Sequence, residues 1–171
     1  MRRDADADRV RAFVRELARR TSIPARVYLV GGTSAVIEGW RATTLDIDVR
    51  IEPEDDALLR ELPRLKQLLD VNVELASPLD FLPALPGWQD RSPFLFRERQ
   101  IDVFHFDFYA QALAKLERGF DQDRTDVRAM MDAGHVERTR LLDLYDRVED
   151  ALFRFPSVDP GALRSAIAAL E

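Results

Sequence analysis

The sequence has no cysteine and only two histidines, His105 and His135. Without cysteine, disulfides and thiolate metal sites are excluded, and two histidines are too few for a His-rich zinc site. No apolar run approaches the roughly 20 residues that span a membrane. The N-terminal segment, rich in Arg and Asp, also lacks the apolar core of a signal peptide. We therefore expect a cytoplasmic protein with no membrane partner.

Net positive charge is also missing, since the formal net charge at pH 7 is −6. General nucleic-acid binding depends on many Lys and Arg contacts to phosphate, so this balance argues against it. The distribution is uneven, because eight arginines but only four acids lie between residues 2 and 26. This segment is either a strip that binds RNA or, as charge runs more often are, a solvated helix face.

The composition itself, with 46% hydrophobic and 33% charged residues in a chain of 171, is that of one globular domain. Strand patterns come early and helix patterns come late, which indicates an α/β or α+β fold with a helical tail. The predicted strands are 27–31, 43–52, 71–76, 94–97 and 100–106. The predicted helices are 4–21, 34–40, 54–69, 109–118, 122–132, 136–153 and a last one after Pro160.

Prolines modify this prediction in two places. Pro63 implies a kink in the helix at 54–69 or its division into two shorter helices. The proline-rich segment 77–93 is predicted to be irregular and to lie near the active site. We expect a core sheet within residues 25–108 and a helical part at 109–171.

The stretch 28–52, which reads YLVGGTSAVIEGWRATTLDIDVRIE, is the most informative part of the chain. Side chains alternate between the two faces of a strand. The residues expected to face the core are Leu45, Ile47, Val49 and Ile51, and those expected on the opposite face are Asp46, Asp48 and Arg50. Two neighbouring carboxylates repel each other, and a divalent cation between them removes that cost. Mg²⁺, or Mn²⁺, suits such a set of hard oxygen ligands.

The turn formed by Gly31, Gly32, Thr33 and Ser34 supplies the other half of a phosphate site. Glycine lets backbone N–H groups approach a ligand closely, and a helix that starts at Thr33 or Ser34 directs its N-terminus at the same anion. We expect a hydroxyl of Thr33 or Ser34 to bind phosphate, although the same hydroxyl is also suited to capping the helix.

The Gly-Gly turn, followed about a dozen residues later by Asp-x-Asp, resembles the nucleotidyltransferase superfamily and, within it, the small bacterial AbiEii-like group. The resemblance covers roughly residues 25–130. It implies a polymerase-β-like mixed sheet with flanking helices, and a metal-dependent enzyme that moves an NMP from an NTP to an acceptor. For AbiEii-like relatives it implies a toxin-type role, a tRNA or protein as the acceptor, and a cognate antitoxin as a partner.

The resemblance also implies a third carboxylate on a neighbouring strand. Glu74 matches this position and is favoured over Asp102, which also alternates with apolar residues. Asp46, Asp48 and Glu74 are therefore the predicted metal ligands.

Further along the chain, ALAKLERGFDQDRTD resembles the helical Lys, the nearby Arg and the Asp-x-x-Asp of the AbiEii-like group. Lys115, Arg118 and Asp123 are the implied nucleotide-binding residues, with Lys115 also placed among the catalytic residues and Asp126 completing the motif. Gln122 departs from the basic residue that the group often has before the first Asp. The same residue types also stabilise helix ends without any ligand.

Two other interpretations remain open from the sequence. The chain is a catalytically idle member that binds nucleotide or a partner protein, or an aminoglycoside-type transferase that acts on a small molecule. The intact glycine turn and Asp-x-Asp favour an enzyme over an idle member. His105 is interpreted as a packed histidine, and Trp40 as a core residue.

Overall fold

The computed structural model describes residues 1–171 and contains one mixed sheet of five strands in the order β3-β2-β1-β5-β4. The strands are β1 Ala25–Leu29, β2 Asp46–Glu52, β3 Asn72–Leu75, β4 Phe94–Glu98 and β5 Ile101–His105. β1 pairs with β2 and β4 with β5 in antiparallel fashion, whereas the pairs β1–β5 and β2–β3 are parallel. The predicted α+β class with a mixed sheet and flanking helices is confirmed.

Nine helices accompany the sheet. They are α1 Ala7–Arg20, α2 Gly32–Glu38, α3 Asp56–Leu59, α4 Leu62–Leu69, α5 Trp88–Arg91, α6 Phe108–Arg118, α7 Asp121–Asp132, α8 Arg138–Asp146 and α9 Pro160–Ala168. Two 3-10 turns span Pro78–Asp80 and Glu149–Arg154. None of these helices combines the length and apolar character that a membrane span requires.

The chain divides into two compact units. The first unit comprises Met1–Ser77 and Pro93–Phe106, and so contains the whole sheet with α1 to α4. The second unit comprises Pro78–Ser92 and Asp107–Glu171, and so contains α5 to α9.

In the first unit, one face of the sheet is apolar and packs with α1 and α4. The buried members of this core include Phe13, Leu17, Val27, Leu29, Ile47, Val49, Ile51, Leu65, Val73, Ile101 and Val103. The predicted inward positions Ile47, Val49 and Ile51 are therefore confirmed. The opposite face carries the polar positions of β2, because alternation along the strand separates the two sets.

Leu45 was predicted to join this core, and that prediction is wrong, since it is 73% exposed. Regular pairing of β2 begins only at Asp46, after an isolated bridge between Ala5 and Thr44. The side-chain alternation of the strand therefore does not extend back to Leu45.

Proline had the expected effect in one place but not in the other. The segment 54–69 forms two short helices, α3 and α4, with Pro63 in the first turn of α4, where a missing N–H costs little. The segment 77–93 is not wholly irregular, because it contains a 3-10 turn at Pro78–Asp80 and the one-turn helix α5.

In the second unit, α6 packs against α7, α8 and α9. Asp107 caps α6 by accepting a hydrogen bond from the Tyr109 N–H at 3.2 Å, and Gly119 ends it with a φ of 74°, as a C-terminal glycine should. The predicted single helix at 136–153 is wrong, because α8 ends at Asp146 and a 3-10 turn follows.

Candidate metal centre and phosphate-binding turn

Three carboxylates meet on the polar face of the sheet where β2 pairs with β3. Asp46 and Asp48 come from β2, and Glu74 comes from β3. The parallel register places Asp48 opposite Glu74 and Asp46 opposite Asn72. One carboxylate oxygen from each of the three acids lies within 4.8 Å of the others. The structure therefore brings the three predicted metal ligands together.

The chemistry of this donor set fits a hard divalent cation. All three side chains offer oxygen, and the chain has no thiolate to offer. Asp46 and Asp48 are half-buried and Glu74 is exposed, so solvent can complete a coordination sphere. Mg²⁺ and Mn²⁺ prefer carboxylate and water ligands of this kind. A cation here also offsets the mutual repulsion of three like charges.

Asn72 is the residue of this site that the sequence interpretation missed. Its side-chain amide nitrogen donates to Asp46 Oδ1 at 2.6 Å and to Glu74 Oε1 at 3.2 Å. The alternation in VNVELA already places Asn72 on the same face as Glu74. The missing information was the pairing of β3 with β2, which aligns Asn72 with Asp46.

Two threonines fix the backbone that carries the aspartates. Thr33 Oγ1 accepts a hydrogen bond from the Asp48 N–H at 2.8 Å, and Thr44 Oγ1 donates to the Asp46 carbonyl at 3.1 Å. Thr33 was predicted to bind phosphate through its hydroxyl or to cap the helix. Its side chain is instead fully buried and committed to β2. Thr33 thus ties the glycine turn to β2, which carries Asp46 and Asp48.

The Gly31-Gly32 turn lies directly beside these acids. Gly31 has a φ of 59°, and a Cβ added there would lie 3.6 Å from Asp48 Oδ2. A Cβ on Gly32 would collide with the Thr44 hydroxyl and would lie 3.1 Å from a guanidinium nitrogen of Arg41. Both positions therefore require glycine, one for its backbone angle and the other for space. The close approach also places Arg41 at the turn.

The Ser34 hydroxyl is fully buried. It donates to the Leu29 carbonyl at 2.9 Å, and its oxygen lies 2.9 Å from His105 Nδ1. His105 Nε2 lies 2.8 Å from Glu38 Oε1. His105 is 1% exposed, and its two ring nitrogens face Ser34 and Glu38 of α2, so it is a packed histidine that joins β5 to α2, as expected.

Asp102, the rival third ligand, lies elsewhere on the sheet. It forms a two-point ion pair with Arg97, with Nε to Oδ1 at 2.6 Å and Nη2 to Oδ2 at 2.9 Å. The hydrogen bond from Arg97 holds the pKa of Asp102 below the ordinary value of a carboxyl. Asp102 is not a member of the carboxylate cluster, whereas Glu74 is.

The predicted nucleotide-binding cations belong to the second unit, where they form a buried ionic network between α6 and α7. Lys115 is 5% exposed, and its ammonium lies 2.6 Å from Asp126 Oδ2 and 3.8 Å from Asp123 Oδ1. Arg118 donates from Nε to Asp123 Oδ2 at 2.8 Å, while its own side chain is 58% exposed. Gln122 donates to Asp126 Oδ1 at 3.1 Å.

Two opposing effects act on Asp123 in this network. Burial by itself raises the pKa of Asp123, but the hydrogen bond and charge of Arg118 and the charge of Lys115 outweigh it, so the pKa lies below its ordinary value. Asp123 also accepts from the Phe120 N–H at 3.2 Å, at the start of α7. It therefore combines a helix-capping contact with charge pairing.

Several arginines of the N-terminal segment are bound within the first unit. Arg9 donates to the Leu69 carbonyl at 2.9 Å, Arg19 pairs with Glu16 at 2.6 Å, and Arg3 lies 3.3 Å from Asp70. These contacts favour the interpretation of the segment as a solvated, internally paired face over that of an RNA-binding strip.

The chain matches a known protein-family model over most of its length. The chain belongs to the family described as "Nucleotidyltransferase of unknown function (DUF6036)", whose model matches residues 8–155. The comparisons with curated proteins and with solved structures find no match. The superfamily suggested by the glycine turn and Asp-x-Asp is thereby shown, while the AbiEii-like group is not.

Proposed function

We propose that this nucleotidyltransferase uses a divalent cation, Mg²⁺ or Mn²⁺, held by Asp46, Asp48 and Glu74 to transfer an NMP from an NTP to an acceptor. An oxygen of the acceptor attacks the α-phosphate, and the bond to the leaving pyrophosphate breaks. The observation that carries the proposal is the meeting of the three carboxylates within 4.8 Å beside the Gly31-Gly32 turn. When bound, the cation neutralises charge on the phosphates and activates the attacking oxygen. The protein supplies the ligands and the frame that holds them.

In the first unit, some residues bind the cation and others hold the backbone of those ligands in place. Asp46, Asp48 and Glu74 bind the cation. Thr33 and Thr44 hold the backbone of the two aspartates, so the ligand strand and the glycine turn form one rigid frame. A rigid frame favours catalysis because the reacting groups need no rearrangement at the moment of reaction.

The glycine turn is the proposed position for the NTP phosphates. Gly31 and Gly32 carry no side chains, so their peptide groups permit the closest approach by an anion. The Thr33 and Ser34 hydroxyls are engaged with Asp48 and Leu29, so their contribution lies in shaping the turn. Arg41 adds a positive charge beside Gly32.

A role for Lys115, Arg118 and Asp123 in nucleotide binding stays a prediction. The Lys115 ammonium would have to exchange Asp126 for a phosphate, which is costly because the Asp126 carboxylate would stay buried without the Lys115 charge. Arg118 is better suited than Lys115 to bind a phosphate, because its side chain is mostly exposed and is oriented by a hydrogen bond to Asp123.

The acceptor is proposed to be tRNA or a protein, and the physiological role that of a toxin held silent by a cognate antitoxin. The support for both is the resemblance of the glycine turn, the Asp-x-Asp and the Lys115 segment to the AbiEii-like group.

The test is incubation of the purified chain with each α-labelled NTP, Mg²⁺, and total RNA or cell protein. We expect labelled NMP to appear on RNA or on a protein. We expect no labelled macromolecule with the Asp46→Asn/Asp48→Asn double variant. Tight NTP binding without any transfer would instead favour an idle binding protein. Label found only on an added aminoglycoside would favour a small-molecule transferase.

A further inference from the structure

Asn72 makes three polar contacts that together fix its side chain. Its amide nitrogen lies 2.6 Å from Asp46 Oδ1 and 3.2 Å from Glu74 Oε1, while its Oδ1 lies 3.3 Å from Arg2 Nη1. Carboxylates only accept hydrogen bonds, and a guanidinium only donates them. The chemistry of the neighbours therefore permits one orientation of the amide, with the nitrogen towards the two acids and the oxygen towards Arg2.

This orientation gives Asn72 a double role towards the two acids. Its amide bridges Asp46 and Glu74, so it limits rotation of both carboxylates and offsets part of their repulsion. A hydrogen bond to an ionised acceptor is stronger than a neutral one, and the 2.6 Å contact to Asp46 is short. Asp46 and Glu74 are thus preorganised in the cation-free protein.

We propose that Asn72 is a positioning residue of the metal site, an outer partner that holds Asp46 and Glu74 in the geometry that binds the cation. This inference rests on the proposed function, because it presumes that the three carboxylates bind a metal. Mg²⁺ demands near-ideal octahedral geometry, so the orientation of its ligands matters. Outer partners of metal ligands typically contribute roughly 10- to 100-fold to metal affinity or activity.

The first experiment compares Mg²⁺ affinities by isothermal titration calorimetry in the full chain. The variants are Asn72→Leu, which keeps the approximate shape and removes the amide, Asn72→Gln, which keeps the amide on a longer arm, and Asp48→Asn, which removes a proposed ligand. We expect Asn72→Leu to weaken Mg²⁺ binding by roughly ten-fold or more, with Asn72→Gln between it and the wild type. Wild-type affinity in a folded Asn72→Leu would overturn the proposal.

The Asp48→Asn variant separates the two levels of inference. If Asp48→Asn and Asn72→Leu both bind Mg²⁺ as the wild type does, the metal site itself is wrong. If only Asp48→Asn loses binding, the metal site stands and the role of Asn72 is wrong.

A second measurement needs no variant at all and so remains decisive if Asn72→Leu fails to fold. Asn72 is the only asparagine in the chain, so selective ¹⁵N-asparagine labelling gives a single pair of side-chain amide signals. We expect this pair to shift when Mg²⁺ saturates the protein. Unmoved Asn72 side-chain signals, at Mg²⁺ concentrations that shift the backbone amides of Asp46 and Asp48 in a uniformly ¹⁵N-labelled sample, would contradict the proposal.

Discussion

Asp48 on β2 lies in register with Glu74 on β3, and this single parallel pair brings a distant acid to the Asp-x-Asp motif. The adjacent pair, Asp46 with Asn72, adds an amide donor to the same group. The candidate metal site is therefore a property of one strand pairing, and it is tied to the glycine turn through the Thr33 hydroxyl.

Replacing the central ligand should abolish activity while the fold is retained. Asp48→Asn removes one charge from a polar, half-buried cluster, so repulsion falls and the thermal midpoint should stay the same or rise. Transfer of labelled NMP should fall by more than the roughly 100-fold typical of outer partners of a metal. The matched control is Asp102→Asn, which lies outside the cluster and should keep transfer. Full activity of Asp48→Asn would rule out its metal role.

Gly32→Ala should destabilise the first unit by about 1–3 kcal/mol, because its Cβ collides with the Thr44 hydroxyl. Chemical denaturation measures this change in the free energy of unfolding. Adding Thr44→Ala should recover part of the loss, since it removes the colliding atom. Gly161→Ala is the control: its Cβ would meet only Asp159 Oδ1, at 3.5 Å, and it lies in α9, where alanine is favoured. Equal stability of Gly32→Ala and the wild type would contradict the packing described for the turn.

Ser34→Ala should lower stability and leave the KM for NTP unchanged. The hydroxyl bonds to the Leu29 carbonyl and to His105 in the core. The Leu29 carbonyl also accepts from the Phe106 N–H, so the cost of about 1–3 kcal/mol comes from the buried His105 nitrogen that loses its Ser34 contact. Steady-state kinetics well below the melting temperature, together with denaturation curves, separates the two effects. A raised KM at undiminished stability would instead support the phosphate-binding role predicted from the sequence.

Lys115→Met should destabilise the protein by about 3–5 kcal/mol, because it leaves Asp126 buried without its charge partner. The double variant Lys115→Met/Asp126→Leu should recover most of that loss, since it replaces the buried pair by apolar groups. Denaturation measures both variants. Transfer activity of the double variant then reports whether Lys115 also contributes to nucleotide binding. A stable Lys115→Met single variant would refute the structural role.

The depressed pKa of Asp123 predicts a contribution to stability that disappears in acid. Asp123 is charged in the native state at a pH where the unfolded chain already binds a proton. Its contribution is therefore complete above the ordinary carboxyl pKa of about 4 and is lost as the pH falls through the lower native value. Asp123→Asn should be less stable than the wild type at pH 7, and the difference should shrink below about pH 4. A difference that stays constant with pH would contradict this assignment.

Local patterns in the sequence were sufficient for much of the fold and for part of the site. Alternation along 46–51 placed Asp46 and Asp48 opposite Ile47, Val49 and Ile51, and the glycines marked the turn. These features depend on neighbours in the chain. The strands β4 and β5, which pair as neighbours in the chain, were also predicted as strands.

The features that could not be predicted from the sequence depend on contacts between segments that are distant in the chain. Asn72 gained its role only through the pairing of β3 with β2, which no local pattern specifies. The hydroxyls of Thr33 and Ser34 turned inward because partners on β2, β1 and β5 lie within hydrogen-bonding distance. Leu45 was misplaced because an isolated bridge to Ala5 precedes the strand.

The most direct test of the metal site is an anomalous difference map from crystals of the protein soaked with Mn²⁺. We expect a peak coordinated by Asp46, Asp48 and Glu74, next to the Gly31-Gly32 turn, and we expect this peak to be absent in crystals of Asp48→Asn. A fully occupied Mn²⁺ peak at other residues, with the three carboxylates unliganded, would contradict the proposed metal site.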